Sequence, residues 1–221
     1  GRRPHEGELV STALPRVVVG VTTLNGPDRF RRCLDAIATH TERRSYGHDG
    51  VAALATDDGS VEKNAELNHQ IATSFGFEML PQMGRRGIAF QWNRLSRHVK
   101  ADVVALLNDD VEVDRDWLDV LAHSVWENRV AGMVSLNCYT NVTRMQAGTR
   151  PQCAYYHAHL DDGNGTLLAS GGACFAFRRD VFDAVNGFDE RYCPAYYEEV
   201  DFGVSARRLG FRHYIASHPI V

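Results

Sequence analysis

The 221-residue sequence predicts an α/β fold of Rossmann-like type, a mostly parallel sheet sandwiched between helices, on three observations. Apolar runs recur at residues 17–21, 51–55, 103–107 and 132–136. They are continuous rather than alternating, as in strands covered on both faces. Amphipathic stripes of helical period separate them, and strands alternating with helices imply right-handed crossovers between parallel neighbours.

The first helix follows Pro27, a residue favoured in a first turn, and carries Phe30, Leu34 and Ile37 at helical spacing. Leu67, Ile71 and Phe75 form a second stripe that ends at Gly76, and Ile88, Trp92 and Leu95 form a third. Trp117, Val120, Leu121 and Val125 make a fourth, with Asp114 as its expected N-cap. Periodicity then fails over residues 139–168, a stretch rich in Gly, Asn, Thr and aromatic residues that predicts a functional loop or a hairpin excursion. His157 and His159 within it are read as surface or core histidines rather than metal ligands. The pattern resumes with GGACFAFRRDVFDAVNGFDE, a strand and a short helix stopped by Asn186-Gly187. In YYEEVDFGVSARRLGF, Phe202, Ala206 and Leu209 share a helix face and Gly210 ends the helix, which puts Glu198 and Glu199 at its N-terminus. A single domain over residues 16–221 is expected, preceded by an extension over residues 1–15.

Composition narrows the function classes. With 44% apolar and 24% charged residues the chain is globular rather than disordered or fibrous. A net charge of −4 without a long Lys/Arg run gives no support to nucleic-acid binding. The cysteines, Cys33, Cys138, Cys153, Cys174 and Cys193, lack CxxC spacing, which argues against a zinc knuckle or redox pair and fits a reducing cytosol, so a cytoplasmic location is expected. No run has the length of a signal peptide core or a transmembrane segment, and the sequons at Asn141 and Asn164 are read as chance matches.

In an open α/β sheet ligands bind beyond the carboxyl ends of the strands. There the sequence places Thr22-Thr-Leu-Asn25, Asp57-Asp-Gly-Ser60 and Asn108-Asp-Asp110. Each alone is explained by turn or capping chemistry. Three polar or acidic clusters at one sheet edge point instead to a site.

Taken in order, VVVGVTTLNGPDRFRRCLDAI, TDDGS, GIAFQWNRL, ALLNDDVEVDRDWLDVL, SGGACFAFRRDVFDAVNGFDE and YYEEVDFGVSARRLG resemble the inverting nucleotide-sugar glycosyltransferases of family two, which have the GT-A fold. The resemblance implies that Thr22 and Asp58 hold the base and ribose of the donor, with Leu24 where many members carry an aromatic residue. It makes Arg85 and Arg86 candidate diphosphate contacts, since guanidinium matches phosphate oxygens. Asn108-Asp-Asp110 matches the family's DxD element, in which Asp110 would bind Mn2+ or Mg2+ and Asp109 would approach the ribose or sugar. Glu198-Glu199 matches the Glu-Asp element, with Glu199 the expected catalytic base and Glu198 and Asp201 the other candidates. The family commonly adds a His after the next strand, for which His218 is set against an ordinary loop residue beside Pro219. A metal that binds weakly until a diphosphate completes its shell is therefore expected.

The implied reaction is metal-dependent, inverting transfer of a hexosyl or deoxyhexosyl group from a UDP- or dTDP-sugar to the hydroxyl of an acceptor, whether glycan, lipid-linked sugar, small molecule or modified nucleic acid. Two other classes compete. A nucleotidyltransferase also pairs acids with a Rossmann-like sheet, but no Gly-rich, Lys-containing phosphate loop follows the first strand. A non-catalytic sugar-nucleotide or glycan-binding domain would keep the fold without the reaction, and Asp110 and Glu199 speak against it.

Overall fold

The computed structural model describes residues 14–42, 50–138, 160–161, 167–169 and 172–220. Its elements run β1 (Val17–Thr23), α1 (Pro27–His40), β2 (Val51–Asp57), α2 (Glu62–Ser74), β3 (Glu78–Met79), α3 (Ile88–His98), β4 (Val103–Asn108), α4 (Trp117–Glu127), β5 (Ala131–Cys138), β6 (Leu160–Asp161), β7 (Leu167–Ala169), β8 (Cys174–Arg178), α5 (Arg179–Val185), α6 (Glu198–Arg208) and β9 (Arg212–Ile220).

The main sheet has the strand order β3-β2-β1-β4-β8-β5-β9. β1 pairs in parallel with β2 and β4, and β5 with β9, whereas β8 is antiparallel to both β4 and β5. The sheet is thus mixed, with helices on both faces. Val17, Val19 and Val21 face one layer with Phe30, Leu34, Trp117 and Leu121, while Val18 faces the other with Trp92, Leu95 and Phe202. Burial on both sides explains the continuous apolar runs.

The second layer is aromatic. Trp92 meets the Phe175 and Phe188 rings edge-on at 5.0 and 5.2 Å, and Phe188 stacks on Phe202 at 4.7 Å. Phe202 lies one turn into α6, so this packing sets the position of the helix that begins with Glu198. Truncating such a ring to alanine costs about 3–5 kcal/mol.

Several local expectations are corrected. In α2 the buried position belongs to Asn68 rather than Leu67, because the Asn68 amide donates to Asp57 Oδ2 at 2.8 Å. Phe75 lies just past that helix but keeps its packing against the core, as does the partly buried Ile88 beside the buried Ala89 in α3. Val120, half-buried in α4, keeps its expected packing against the core. Asp116, in the left-handed region at φ 63°, is the N-cap of α4, while Asp114 accepts from the neighbouring Arg115 N–H. Leu209 falls beyond the end of α6 and is 50% exposed, so Phe202, Gly203 and Ala206 form the core face. Of residues 139–168, β6 pairs antiparallel with β7, which begins at Leu167, and His157 and His159 lie outside the described residues.

Candidate active site

The strand ends open into a cleft of about 540 Å3 lined by Thr22, Asp58, Arg85, Asp109, Asp110, Glu198 and Glu199 among others. β1, β2 and β4 bring the first polar clusters there by their carboxyl ends. β8 runs the other way, so the residues that precede it come to the same edge, and Asn108 N–H donates to Ala173 O at 3.0 Å.

The two acids at the end of β2, Asp57 and Asp58, have different work. Asp57 builds its own turn, accepting from Gly59 and Ser60 N–H and from the Asn68 and Gln82 amides. Asp58 faces the cleft, accepting from Arg86 N–H at 2.9 Å, Gly87 N–H at 3.0 Å and Gln91 Nε2 at 2.9 Å. Gly87 has φ 89° and a Cβ there would stand 3.0 Å from Pro194 O, so only glycine fits this turn. Ile88 N–H then donates to Pro194 O, which ties the Asp58 side of the cleft to the loop leading into α6. Thr22 Oγ1 shares a hydrogen bond with Thr56 Oγ1. Arg85 lines the cleft, but the Arg86 guanidinium lies over the Phe90 ring at 4.5 Å.

Asp109 is buried and both its oxygens are engaged, one by Thr23 Oγ1 at 2.6 Å and the other by Arg29 Nε at 2.7 Å. Burial raises its pKa above the usual carboxylate value, against the pull of Arg29 and Thr23. Asp110 is exposed at the cleft edge. The Asn108 amide oxygen beside it is buried without a partner among the described residues.

On the far side Tyr196 and Tyr197 hold φ of 86° and 73°, and they turn the chain into α6. Such conformations are costly for bulky residues and concentrate at functional sites. Glu198 and Glu199 follow, both buried and both lining the cleft. Burial pushes the Glu198 carboxyl up to about 7, with the neighbouring Glu199 adding to the shift. Its Oε2 has no hydrogen-bond partner among the described residues. Asp201 is not among the residues that line the cleft. His218 lies within β9, and its side chain falls outside the described residues.

Sequence reasoning passed over Thr23, Arg29, Gly172 and Tyr196, all of which line the cleft. The signal for Arg29 is the glycine three residues before it, which leaves space for a side chain to fold back.

Among the described residues no three His, Cys, Asp or Glu side chains are grouped to hold a metal. The oxygen set on offer, the open Asp110 carboxylate and the Asn108 amide oxygen that has no partner among the described residues, fits a hard cation whose remaining ligands arrive with a phosphate-bearing molecule.

A mixed sheet between helix layers, with acids gathered at the strand ends, defines a GT-A, Rossmann-like protein. The chain belongs to the glycosyltransferase like family 2, whose model matches residues 15–221. It is 23% identical over 226 residues to the O-antigen biosynthesis protein RfbC of Myxococcus xanthus, covering 90% of this chain and 16% of that protein. In fold it is similar to the mannosyltransferase PcManGT from Pyrobaculum calidifontis in complex with GDP-Man and Mn2+, with TM-score 0.69 and 20% identity over 95% of this chain and 57% of that one. It is also similar to GalNAc-T7 with UDP, GalNAc and Mn2+, with TM-score 0.70 and 14% identity over 95% of this chain and 44% of that one. The chain spans under a quarter of the length of the curated relatives it matches.

Proposed function

We propose that this chain transfers a sugar from a nucleoside-diphosphate donor to an acceptor hydroxyl with inversion at the anomeric carbon, assisted by Mn2+ or Mg2+. The observation that carries the reading is the gathering of Asp58, Asp109, Asp110, Glu198 and Glu199 in one cleft. The nucleoside lies against Thr22, Leu24 and Asp58, and the diphosphate lies toward Asp110 and Arg85. UDP- and dTDP-sugars remain the leading donors. GDP-mannose joins them, because the similar mannosyltransferase holds it and Leu24 imposes no aromatic stacking on the base.

Asp110, with the Asn108 amide, would hold the metal, which when bound offsets charge on the departing diphosphate. Glu199 takes the proton of the acceptor hydroxyl as that oxygen bonds to the anomeric carbon. The bond from that carbon to the diphosphate oxygen breaks, and the electron pair leaves with the nucleoside diphosphate. Two adjacent carboxyls in unlike environments divide the acid and base roles. Glu198, raised to about 7, is about half protonated near neutral pH, and its protonated form offers a hydrogen-bond donor to a bound molecule.

Incubation with UDP-, dTDP- and GDP-sugars, with and without Mn2+, tests the reading. Metal-stimulated release of nucleoside diphosphate supports it. Release of pyrophosphate from a nucleoside triphosphate would assign a nucleotidyltransferase, and binding without turnover a sugar-nucleotide-binding domain.

A further inference from the structure

Arg29 sits in the first turn of α1, yet its side chain does not follow the helix outward. It folds back over Gly26, where a Cβ would stand 2.2 Å from Arg29 Cζ and 2.5 Å from Nη1, so no other residue at 26 leaves room for this conformation. Two bonds hold it there. Nε donates to Asp109 Oδ1 at 2.7 Å and Nη2 to Leu24 O at 2.6 Å. The side chain keeps 40% of its surface and lines the same cleft as Asp110 and Arg85. Nη1 has no partner among the described residues, and its neighbours Asp109 and Asp110 keep the guanidinium firmly charged.

This arrangement changes what Asp109 can do. Its oxygens are taken by Thr23 and Arg29, so a cation reaching the acidic pair finds Asp110 open and Asp109 already neutralised. The positive charge beside Asp110 is therefore part of the polypeptide. Guanidinium anchored through Nε and one Nη keeps its other edge for an anion, and charge-assisted bonds from arginine to phosphate oxygens are among the stronger ones available.

We propose that Arg29 is a built-in cation of the donor site, contacting the diphosphate so that a share of nucleotide binding persists without divalent metal. The inference rests on the cleft being a nucleotide-diphosphate site.

Calorimetry with UDP, dTDP and GDP, in EDTA and in Mn2+, tests it on the full chain. The parent is expected to bind at least one of them in EDTA. Arg29→Gln is expected to weaken that metal-free binding by about tenfold or more, as the loss of one charge-assisted hydrogen bond implies, while the factor gained on adding Mn2+ persists. Arg29→Lys should recover part of the loss. Should Arg29→Gln unfold through its unpaired Asp109, the double variant Arg29→Gln with Asp109→Asn removes both charges and takes its place. A metal-free affinity within about threefold of the parent overturns the proposal and leaves Arg29 as the partner of Asp109 alone, as does a parent that binds only with Mn2+. A parent that binds no nucleoside diphosphate under either condition overturns the proposed function itself.

Discussion

The Glu199 carboxylate lies against the backbone of Gly172: a Cβ at residue 172 would stand 3.1 Å from Glu199 Cδ and 3.4 Å from Oε1. The loop into β8 and the start of α6 fit closely there, and a side chain at residue 172 would make the Glu199 carboxylate give by a few tenths of an ångström. Gly172→Ala is expected to push the carboxylate aside, cutting kcat by about tenfold to a hundredfold while leaving the Kd for nucleoside diphosphate within about twofold. Parallel turnover and calorimetric measurements check the split, and an unchanged kcat would show that Glu199 tolerates the shift.

Glu199→Gln removes the proposed base without changing its volume. Turnover should fall by roughly 10²–10⁴-fold with donor affinity nearly unchanged. Parental turnover would transfer the role to Glu198 or Asp201.

Glu198 supplies a pH signature. Burial raises it from the ordinary 4.5 to about 7, so the folded protein holds a proton that the unfolded chain releases between those values. Its contribution to stability is complete below about 4.5 and is lost as pH rises through about 7. The loss is on the order of 1–3 kcal/mol, discounted for water in the cleft. Glu198→Gln, which keeps a hydrogen-bond donor, should flatten this slope in Tm measured from pH 4 to 8. A slope equal to the parent's would locate the titration elsewhere.

Asp58 combines a structural role with the binding role proposed for it. Asp58→Asn turns an acceptor of the Arg86, Gly87 and Gln91 donors partly into a donor, which should cost about 1–3 kcal/mol in chemical denaturation and weaken nucleotide binding with or without metal. Unaltered stability would mean that the Gly87 turn stands without it.

Asp110 is the contrasting case, because it is exposed. Asp110→Asn should shift stability by no more than about 0.5 kcal/mol and remove the gain in nucleotide affinity on adding Mn2+. Retention of that gain would take Asp110 out of the metal site.

The sequence made legible what depends on burial and on strand ends. The apolar runs marked β1, β2, β4 and β5 because both faces of each are covered, and the acids that follow β2 and β4 do meet in one cleft. Strand direction left no such trace. CFAFR reads the same whichever way β8 runs, so its antiparallel insertion between β4 and β5, which brings Gly172 to Glu199, was not visible. The division of labour between Asp57 and Asp58 was equally hidden, since it depends on which carboxylate turns toward Gly59 and which toward Gly87. Asn68 displaced Leu67 from the buried face for the same reason: hydropathy does not report a hydrogen bond to a distant Asp57.

The place of β8 also orders the assembly of the molecule. The chain leaves β4 at Asn108 and does not lay a strand beside it until Cys174, and β5 and β9 join the sheet only through that strand. Both joints of β4 close over long separations, Val17 pairing with Val103 and Val103 with Arg178, each at an entropic cost that grows slowly with the loop between them. On a ribosome, where the N-terminal part emerges first, the half made of β3, β2, β1 and β4 carries an unpaired β4 edge until the last third of the chain has been made. That edge, apolar from Val103 to Leu107, is where one nascent copy is most open to pairing with another, and a chaperone that shields it would raise the yield of folded protein.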